Sequence, residues 1–210
     1  MIYLLADTHF YHDNIMLYAN RHSAGIDKYI YGLIRHLEFI KDDDIVLFLG
    51  DLAHSKRKTL NGCKRLVSQI HGQKHFIRGN HDKWLKDIDI FDMGFLSVQD
   101  YISLDDTLFC HYPFVDDEFR YEKCLHDYLW EMFFANPKIK TIYHGHIHDG
   151  HIHNGENTAN NWLNVKRINC CVDKNKDGYN VVNLTELDSE MAQKLKEYLD
   201  KNTNYQIQTA

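Results

Sequence analysis

The stretch from 78 to 82 places three chemically competent side chains at consecutive positions. It reads Arg78-Gly79-Asn80-His81-Asp82 and follows the short apolar run His75-Phe76-Ile77. In open α/β sheets, ligands bind just beyond the carboxyl ends of strands, so an amide, an imidazole and a carboxylate here can face one crevice. Gly79 is expected to supply the backbone freedom that such a turn needs. Taken by itself, the stretch is explained equally well as an ordinary polar turn.

Four further stretches place carboxylate or imidazole side chains directly after short apolar runs. Carboxylate oxygen, amide oxygen and imidazole nitrogen are ligands for divalent ions of intermediate hardness, such as manganese, iron or zinc. Alternate residues of an extended segment point the same way, so a pair spaced by two can face one ion. A lone histidine or aspartate at a strand end is more often structural, but five coincidences together favour a metal site. The candidate ligands are Asp7, His9, Asp51, Asn80, His111, His146 and His148.

The apolar pattern of the first half predicts the elements that position these residues. Continuous apolar runs at 2–6 and 45–49 predict strands that are covered on both faces. Apolar residues at helical spacing predict helices over 27–41 and 60–70. The alternation of strand and helix is typical of a parallel α/β sheet.

The second half has a different pattern, in which strands follow one another more closely. Apolar runs between turn residues predict strands, and a proline after an apolar periodic segment predicts the end of a helix. Because the sequence shows no linker or repeat, we expect one domain over residues 1–210. The predicted elements are a hairpin of 96–104 and 107–110, a helix over 118–134, a strand at 140–143, an exposed loop over 149–164, an antiparallel pair at 165–172 and 179–184, and a helix from about 188 to 201.

Composition narrows the class of protein. The formal net charge of -6 does not favour a broad nucleic-acid footprint, and we interpret the basic segment 56–65 as a solvated face. The five cysteines are odd in number and lack C-x-x-C spacing, so they indicate neither a disulfide framework nor a thiolate zinc site. A reducing cytoplasm fits this cysteine usage. The apolar residues 1–6 are followed at once by a carboxylate, so we expect neither a signal peptide nor a membrane span.

The order of the candidate ligands resembles that of the calcineurin-like metallophosphoesterases. The matching blocks are Asp7-x-His9, Gly50-Asp51, Gly79-Asn80-His81-Asp82, His111 and Gly145-His146-x-His148. The segment Phe10-x-His12-x-Asn14-Ile15 resembles a branch of small stand-alone bacterial and phage members. The resemblance implies an α/β fold, namely a two-sheet α/β sandwich flanked by helices. It also implies two divalent metal ions, with manganese expected and iron, zinc or nickel as alternatives.

The resemblance implies a role for each matching residue. A water that bridges the two ions, deprotonated near neutral pH, would attack phosphorus. His81 would face the scissile phosphate and donate a hydrogen bond or a proton. Asp82 would orient the His81 imidazole, although a salt bridge with Lys83 or a helix cap explains Asp82 as well. In the implied ligand set, Asp7, His9 and His148 hold the first ion, Asn80, His111 and His146 hold the second, and Asp51 bridges them.

Substrate contacts follow less directly from the sequence. We hypothesise that His12, Asn14 or Arg78 contacts the substrate phosphate, although these residues could merely shape their loops. Aromatic residues within 83–95 and 149–164 could stack on a base, but we favour core packing. The Asp51 block lacks the Asp-Arg-Gly extension typical of protein serine/threonine phosphatases, so that activity is not expected.

We therefore expect a cytoplasmic hydrolase that acts on a small phosphoester as a phosphodiesterase or phosphatase, for example on a nucleotide or cyclic nucleotide. A non-catalytic metal-binding interaction module of the same fold is one alternative, and it would be marked by lost ligands or by loss of His81. A nuclease is the other alternative, which the short chain and negative charge disfavour. We expect no membrane partner, and the sequence does not predict an oligomeric state.

Overall fold

The computed structural model of the protein describes residues 1–21, 25–54, 59–113, 136, 138–148, 165–174 and 179–203. The strands in this part of the chain are β1 (Ile2–Leu5), β2 (Ile45–Leu49), β3 (Gln73–Ile77), β4 (Phe95–Gln99), β5 (Tyr101–Leu104), β6 (Thr107–Cys110), β7 (Thr141–His144), β8 (Lys166–Asn169) and β9 (Val182–Asn183). The helices are α1 (Ile15–Tyr18), α2 (Ile26–His36), α3 (Leu60–Val67), α4 (Asp87–Asp92), α5 (Leu184–Leu187) and α6 (Ser189–Lys201).

The strands form two sheets. The first has the order β4-β3-β2-β1-β9, in which β1 to β4 run parallel and β9 pairs antiparallel with β1. The second has the order β5-β6-β7-β8, in which β6, β7 and β8 run parallel and β5 pairs antiparallel with β6. Together with the flanking helices, this is the two-sheet α/β sandwich predicted from the sequence.

Side chains of β1 alternate between two hydrophobic clusters, which explains why the strand is apolar at every position. Tyr3 and Leu5 pack with α2 and α3 on the outer face of the first sheet. Ile2 and Leu4 pack on its inner face, against side chains of the second sheet and of α6. A strand buried on both faces has no polar face to show, so its sequence has no alternation.

The three predicted helices that lie in the described part of the chain form, with small differences at their ends. Helix α2 ends at His36, and a 3₁₀ turn over Leu37–Phe39 takes up part of the predicted remainder. Helix α6 begins where the Asp188 side chain accepts a hydrogen bond from the main-chain N–H of Met191, at 2.9 Å. Its apolar face then packs in the cluster between the sheets.

The predicted hairpin forms, but only part of its first strand belongs to it. Residues 101–104 pair antiparallel with β6 around a turn in which Asp105 has a φ of 51°. Residues 95–99 instead pair parallel with β3 in the first sheet. One apolar run therefore serves both sheets, because the chain passes from one to the other between Gln99 and Tyr101.

The predicted antiparallel pairing of 165–172 with 179–184 is wrong. Strand β8 pairs parallel with β7 in the second sheet, whereas β9 pairs with β1 in the first. After Asn169 the chain crosses between sheets, and the isolated bridge between Ala6 and Cys171 marks this crossing. Both runs are apolar because each faces a buried layer, and apolar character by itself does not select a strand's partner.

Two other predictions from the sequence concern segments outside the described residues, namely the helix over 118–134 and the loop over 149–164. Within 83–95, Trp84 packs against the outer core cluster and Phe95 is part of it. The interpretation as core packing therefore holds for these two rings. No helix in the described part of the chain has both the length and the hydropathy needed to cross a membrane.

Candidate metal centre

The candidate ligands all follow the carboxyl ends of strands. Strands β1, β2 and β3 are parallel neighbours in the first sheet, and β6 and β7 are parallel neighbours in the second. Because the two sheets pack face to face, the segments that follow these strands meet at one edge of the sandwich. All seven residues predicted as ligands lie there, in two groups.

The first group consists of Asp7, His9 and His148, each of which presents one ligand atom within 4.8 Å of the others. Asp7 and His9 are almost completely buried. In the described part of the chain, Oδ1 of Asp7 and Nε2 of His9 are buried without a hydrogen-bond partner, and they lie 3.8 Å apart. Buried polar atoms are nearly always satisfied, so two such atoms facing each other fit a site for a cation.

The second group consists of Asp51, His111 and His146, whose ligand atoms also lie within 4.8 Å of one another. The amide oxygen of Asn80 is 2.9 Å from Nε2 of His111 and 3.1 Å from Nδ1 of His146. These two imidazole nitrogens are 3.2 Å apart. The four side chains therefore direct oxygen and nitrogen atoms toward one small volume, a donor set that suits a divalent ion of intermediate hardness.

Asp51 connects the two groups through a single oxygen. Its Oδ2 lies 3.5 Å from Nε2 of His9 and 3.4 Å from Nε2 of His111. Its Oδ1 points elsewhere and accepts a hydrogen bond from the main-chain N–H of His81, at 2.9 Å. The carboxylate is thus fixed by one oxygen, while the other lies between the two sets of imidazoles.

Electrostatics favour an ionised carboxylate at this position. Burial opposes ionisation of Asp51, but the facing imidazoles of His111 and His9 hold its pKa well below the usual range. Burial likewise opposes protonation of His111, yet the carboxylates of Asp51 and Asp7 raise its pKa to about 10. A divalent ion held by His111 must therefore displace a proton.

Hydrogen bonds to the distal ring nitrogens determine which nitrogen can bind an ion. Nδ1 of His111 lies 2.8 Å from the carbonyl oxygen of Leu49, and Nδ1 of His148 lies 2.7 Å from Oδ2 of Asp173. An oxygen acceptor requires a proton on Nδ1, so the lone pair in each neutral ring is on Nε2. Partners of this kind fix the orientation of metal-binding histidines.

The backbone of the site is unusual. Five of the candidate ligands have φ between 46° and 76°, in the left-handed region. They are Asp7, His9, Asp51, His146 and His148. Residues other than glycine rarely adopt this conformation, which costs roughly 1–3 kcal/mol each and tends to cluster at functional sites.

Two glycines allow the strand ends to approach one another. Gly79 has a φ of −101°, which other residues adopt, so space rather than backbone freedom explains it. A Cβ there would lie 2.5 Å from the main-chain nitrogen of Asp51 and would also clash with its carboxylate. A Cβ on Gly145 would lie 2.7 Å from Cβ of Ala6 and would overlap the carboxylate of Asp7.

His81 lies beside both groups, and its side chain is more open to solvent than those of His9, His111 and His148. Its side chain is 38% exposed, and its Nε2 is 4.0 Å from Oδ2 of Asp51. Its ring centroid is 5.2 Å from that of His9. The imidazole is therefore placed at the mouth of the site, within reach of a molecule bound there.

Asp82 has a different role from the predicted one. Its buried carboxylate accepts hydrogen bonds from three main-chain N–H groups, those of Asp51 and Gly79 at 2.7 Å and that of Leu52 at 3.0 Å. It thus ties the segment after β2 to the segment after β3, rather than orienting the His81 imidazole. The hydrogen bond from Gly79 is the helix cap predicted as an alternative role for Asp82. Burial, together with the charge of Asp51, raises the pKa of Asp82 to about 7.

The three residues predicted to contact substrate lie in three different environments. His12 is buried next to the first group, stacked on His54 at 4.0 Å between ring centroids, with its Nδ1 3.4 Å from Nδ1 of His9. Asn14 is exposed and precedes α1. Arg78 donates hydrogen bonds to the carbonyl oxygen of Leu85 and to the carboxylate of Asp87, so its guanidinium is engaged at α4.

Three further residues support the site and were not singled out from the sequence. Asp173 binds His148, Arg21 binds Asp173, and Sγ of Cys171 lies 2.8 Å from Oδ2 of Asp7. The same Oδ2 accepts a hydrogen bond from the main-chain N–H of His146 at 2.9 Å. The available signal was the position of Cys171 and Asp173 at the end of an apolar run, a position that the candidate ligands share.

A family model described as calcineurin-like phosphoesterase matches residues 1–171. The chain belongs to the calcineurin-like phosphoesterase family. The resemblance read from the ligand blocks is thereby confirmed, and the two Asp/His groups indicate that this member binds divalent metal ions.

The chain is also similar to two proteins without an assigned function. The crystal structure of the protein of unknown function AQ665 from Aquifex aeolicus superposes with a TM-score of 0.67 and 25% sequence identity. That similarity covers 90% of this chain and 98% of the other. The uncharacterized protein MJ1445 of Methanocaldococcus jannaschii is 44% identical over 84 residues, which is 40% of this chain and 47% of that relative. The matched segment thus spans about half the length of this curated relative.

Proposed function

We propose that the protein hydrolyses a small phosphoester at a centre of two divalent ions. One ion would be held by the first group, Asp7, His9 and His148. The other would be held by Asn80, His111 and His146, and Asp51 would bind both. The position of Asp51 Oδ2 carries this proposal, because it lies within 3.5 Å of an imidazole nitrogen from each group. Two such ions supply Lewis-acid charge, which activates water and stabilises the oxygens of a phosphoryl group in displacement.

His81 is the residue of this centre best placed to act on the substrate. Its main-chain N–H is held by Asp51, while its side chain is the most exposed of the site imidazoles that flank Asp51. We propose that it donates a hydrogen bond to a phosphoryl oxygen or a proton to the leaving oxygen. Neither role requires it to bind an ion.

The proposed substrate is a small phosphoester rather than a nucleic acid. The net charge of -6 works against long-range attraction of a polyanion. Arg78, which could have contacted a phosphate, is engaged by Asp87. Of the three candidate contacts, the proposal retains His12, because it lies against His9.

The test is hydrolysis of p-nitrophenyl phosphate and bis-p-nitrophenyl phosphate by metal-stripped protein, with manganese, iron, zinc, nickel or magnesium added back. We expect turnover that depends on the added cation. Preference for the diester would identify a phosphodiesterase, and preference for the monoester a phosphatase. Failure to hydrolyse either compound with two ions bound would contradict the proposal and favour a non-catalytic module of the same fold.

Replacing His81 separates catalysis from metal binding. We expect His81→Ala to keep both ions and to lower kcat roughly 10²–10⁴-fold with little change in KM, because a proton donor acts mainly in the transition state. Steady-state kinetics and elemental analysis measure the two effects. His71→Ala is the matched control, since His71 is an exposed histidine paired with Asp42, and it should change neither. Loss of an ion from His81→Ala would show that His81 is a ligand.

A further inference from the structure

Asp173 lies two residues beyond the segment that matches the family model, yet it contacts the candidate centre. It belongs to a 3₁₀ turn over Val172–Lys174 and is only 5% exposed. Its Oδ2 is 2.7 Å from Nδ1 of His148, which leaves Nε2, the other ring nitrogen, available to bind an ion. The carboxylate can therefore hold both the tautomer and the orientation of His148.

Arg21 binds the other side of the same carboxylate. Its Nε donates to Oδ1 of Asp173 at 2.6 Å, and its Nη2 donates to Oδ2 at 2.9 Å. The guanidinium lies 4.2 Å from the centroid of the Tyr29 ring. This forked geometry is specific to arginine, and it leaves the carboxylate little freedom to rotate.

Arg21 also binds the segment that carries the other two members of the first group. Its Nη2 donates to the carbonyl oxygen of Asp7 at 2.6 Å, and its Nη1 donates to the carbonyl oxygen of Thr8 at 3.0 Å. These carbonyls belong to the two successive peptide groups between Asp7 and His9. Both residues have left-handed φ values, 59° and 46°, so their backbone needs support of this kind.

We infer that Arg21 and Asp173 are positioning residues that assemble the first ion site, by holding the Asp7–His9 backbone and the His148 ring in one buried unit. This inference rests on the part of the proposed function that places an ion at the first group. It does not depend on whether the protein hydrolyses a phosphoester. A buried ion pair adds little net stability to a fold, because apolar residues of similar size often stabilise it equally well. Here the pair makes contacts that an apolar replacement cannot make, to one ring nitrogen and two carbonyl oxygens.

The experiment measures metal binding rather than turnover. Equilibrium dialysis against manganese, followed by elemental analysis, gives the number of ions per chain and the affinity of each. We expect Asp173→Asn to weaken one ion by roughly 10–100-fold and to leave the other unchanged. Asp44→Asn is the matched control, because Asp44 is also a buried, hydrogen-bonded aspartate but precedes β2 at the other end of the sheet. It should retain both ions at full affinity.

Combination with ligand variants identifies which ion is affected. Added to His148→Ala, the Asp173→Asn change should cost little more, since the ring that Asp173 orients is already gone. Added to His146→Ala, it should have its full effect. Equal effects on the two backgrounds, equal weakening of both ions, or unchanged affinity for both would each overturn the inference.

A second variant covers the case in which Asp173→Asn does not fold. Arg21→Lys keeps the buried positive charge but cannot bind the carboxylate and both carbonyls together. We expect the same selective weakening of one ion in a protein whose circular dichroism matches that of the wild type. Full affinity for both ions in Arg21→Lys would overturn the role given to Arg21. A wild-type protein that binds two ions but hydrolyses nothing would refute the proposed function and leave this inference intact, whereas failure to bind ions would refute both.

Discussion

The first and second groups of candidate ligands form the first and second halves of the candidate centre. Different parts of the protein support these two halves. In the second half, His111 donates to the carbonyl oxygen of Leu49 in β2, which is a main-chain group of the sheet itself. In the first half, His148 donates to the Asp173 side chain, which Arg21 holds in turn. A main-chain acceptor is present whatever residue occupies position 49, whereas the side-chain support requires particular residues at 21 and 173. The first half should therefore be the easier one to damage by substitution.

The largest expected effect comes from the residue that both halves share. Asp51→Asn should weaken binding of both ions by more than about 100-fold, because even partners of ligands cost 10–100-fold. Hydrolysis should fall to the background rate. Titration calorimetry of the metal-stripped variant measures the affinities. An Asp51→Asn protein with two tightly bound ions would show that the halves do not share this carboxylate.

Asp82→Ala should damage the second half through stability. The variant leaves three buried main-chain N–H groups without their acceptor, so we expect the free energy of unfolding to fall by about 2–5 kcal/mol. Urea denaturation of metal-stripped protein measures this value. For Asp173→Asn, the free energy of unfolding measured in the same way should fall by less. Its larger effect should be the weaker binding of one of the two ions. If Asp82→Ala were as stable as the wild type, the Asp82 carboxylate would not be what ties the segments after β2 and β3 together.

The smallest expected effect concerns the thiol beside Asp7. Cys171→Ala removes a hydrogen bond to Oδ2 of Asp7 but leaves the one from the main-chain N–H of His146. One hydrogen bond contributes about 1 kcal/mol, so we expect one ion to bind roughly five-fold more weakly. Cys170→Ala is the matched control, because that neighbouring thiol is buried in the core cluster between the sheets. Cys171→Ser should retain most of the affinity, since a hydroxyl can also donate to Asp7.

The structure brings together the candidate ligands that were read from the sequence, whereas the residues that support them were not singled out there. Asp7 and His9, for example, stand directly after an apolar run and are spaced by two, so type, position and spacing all agree. Asp82 lies in one of these strand-end stretches and was expected to orient His81, and yet it binds main-chain groups. Residue type shows what a side chain can bind, but the nearest donors in the folded chain decide what it does bind.

Local pattern also determined most of the elements, because a continuous apolar run or a helical period reports how a segment is buried. Only the tertiary structure decided which strands share a sheet, as the separate partners of 165–172 and 179–184 show. It also decided that Arg21 meets Asp173, a residue 152 positions away along the chain. Such contacts leave no periodic signal, since they depend on where two sheets bring distant segments together rather than on the residues next to them.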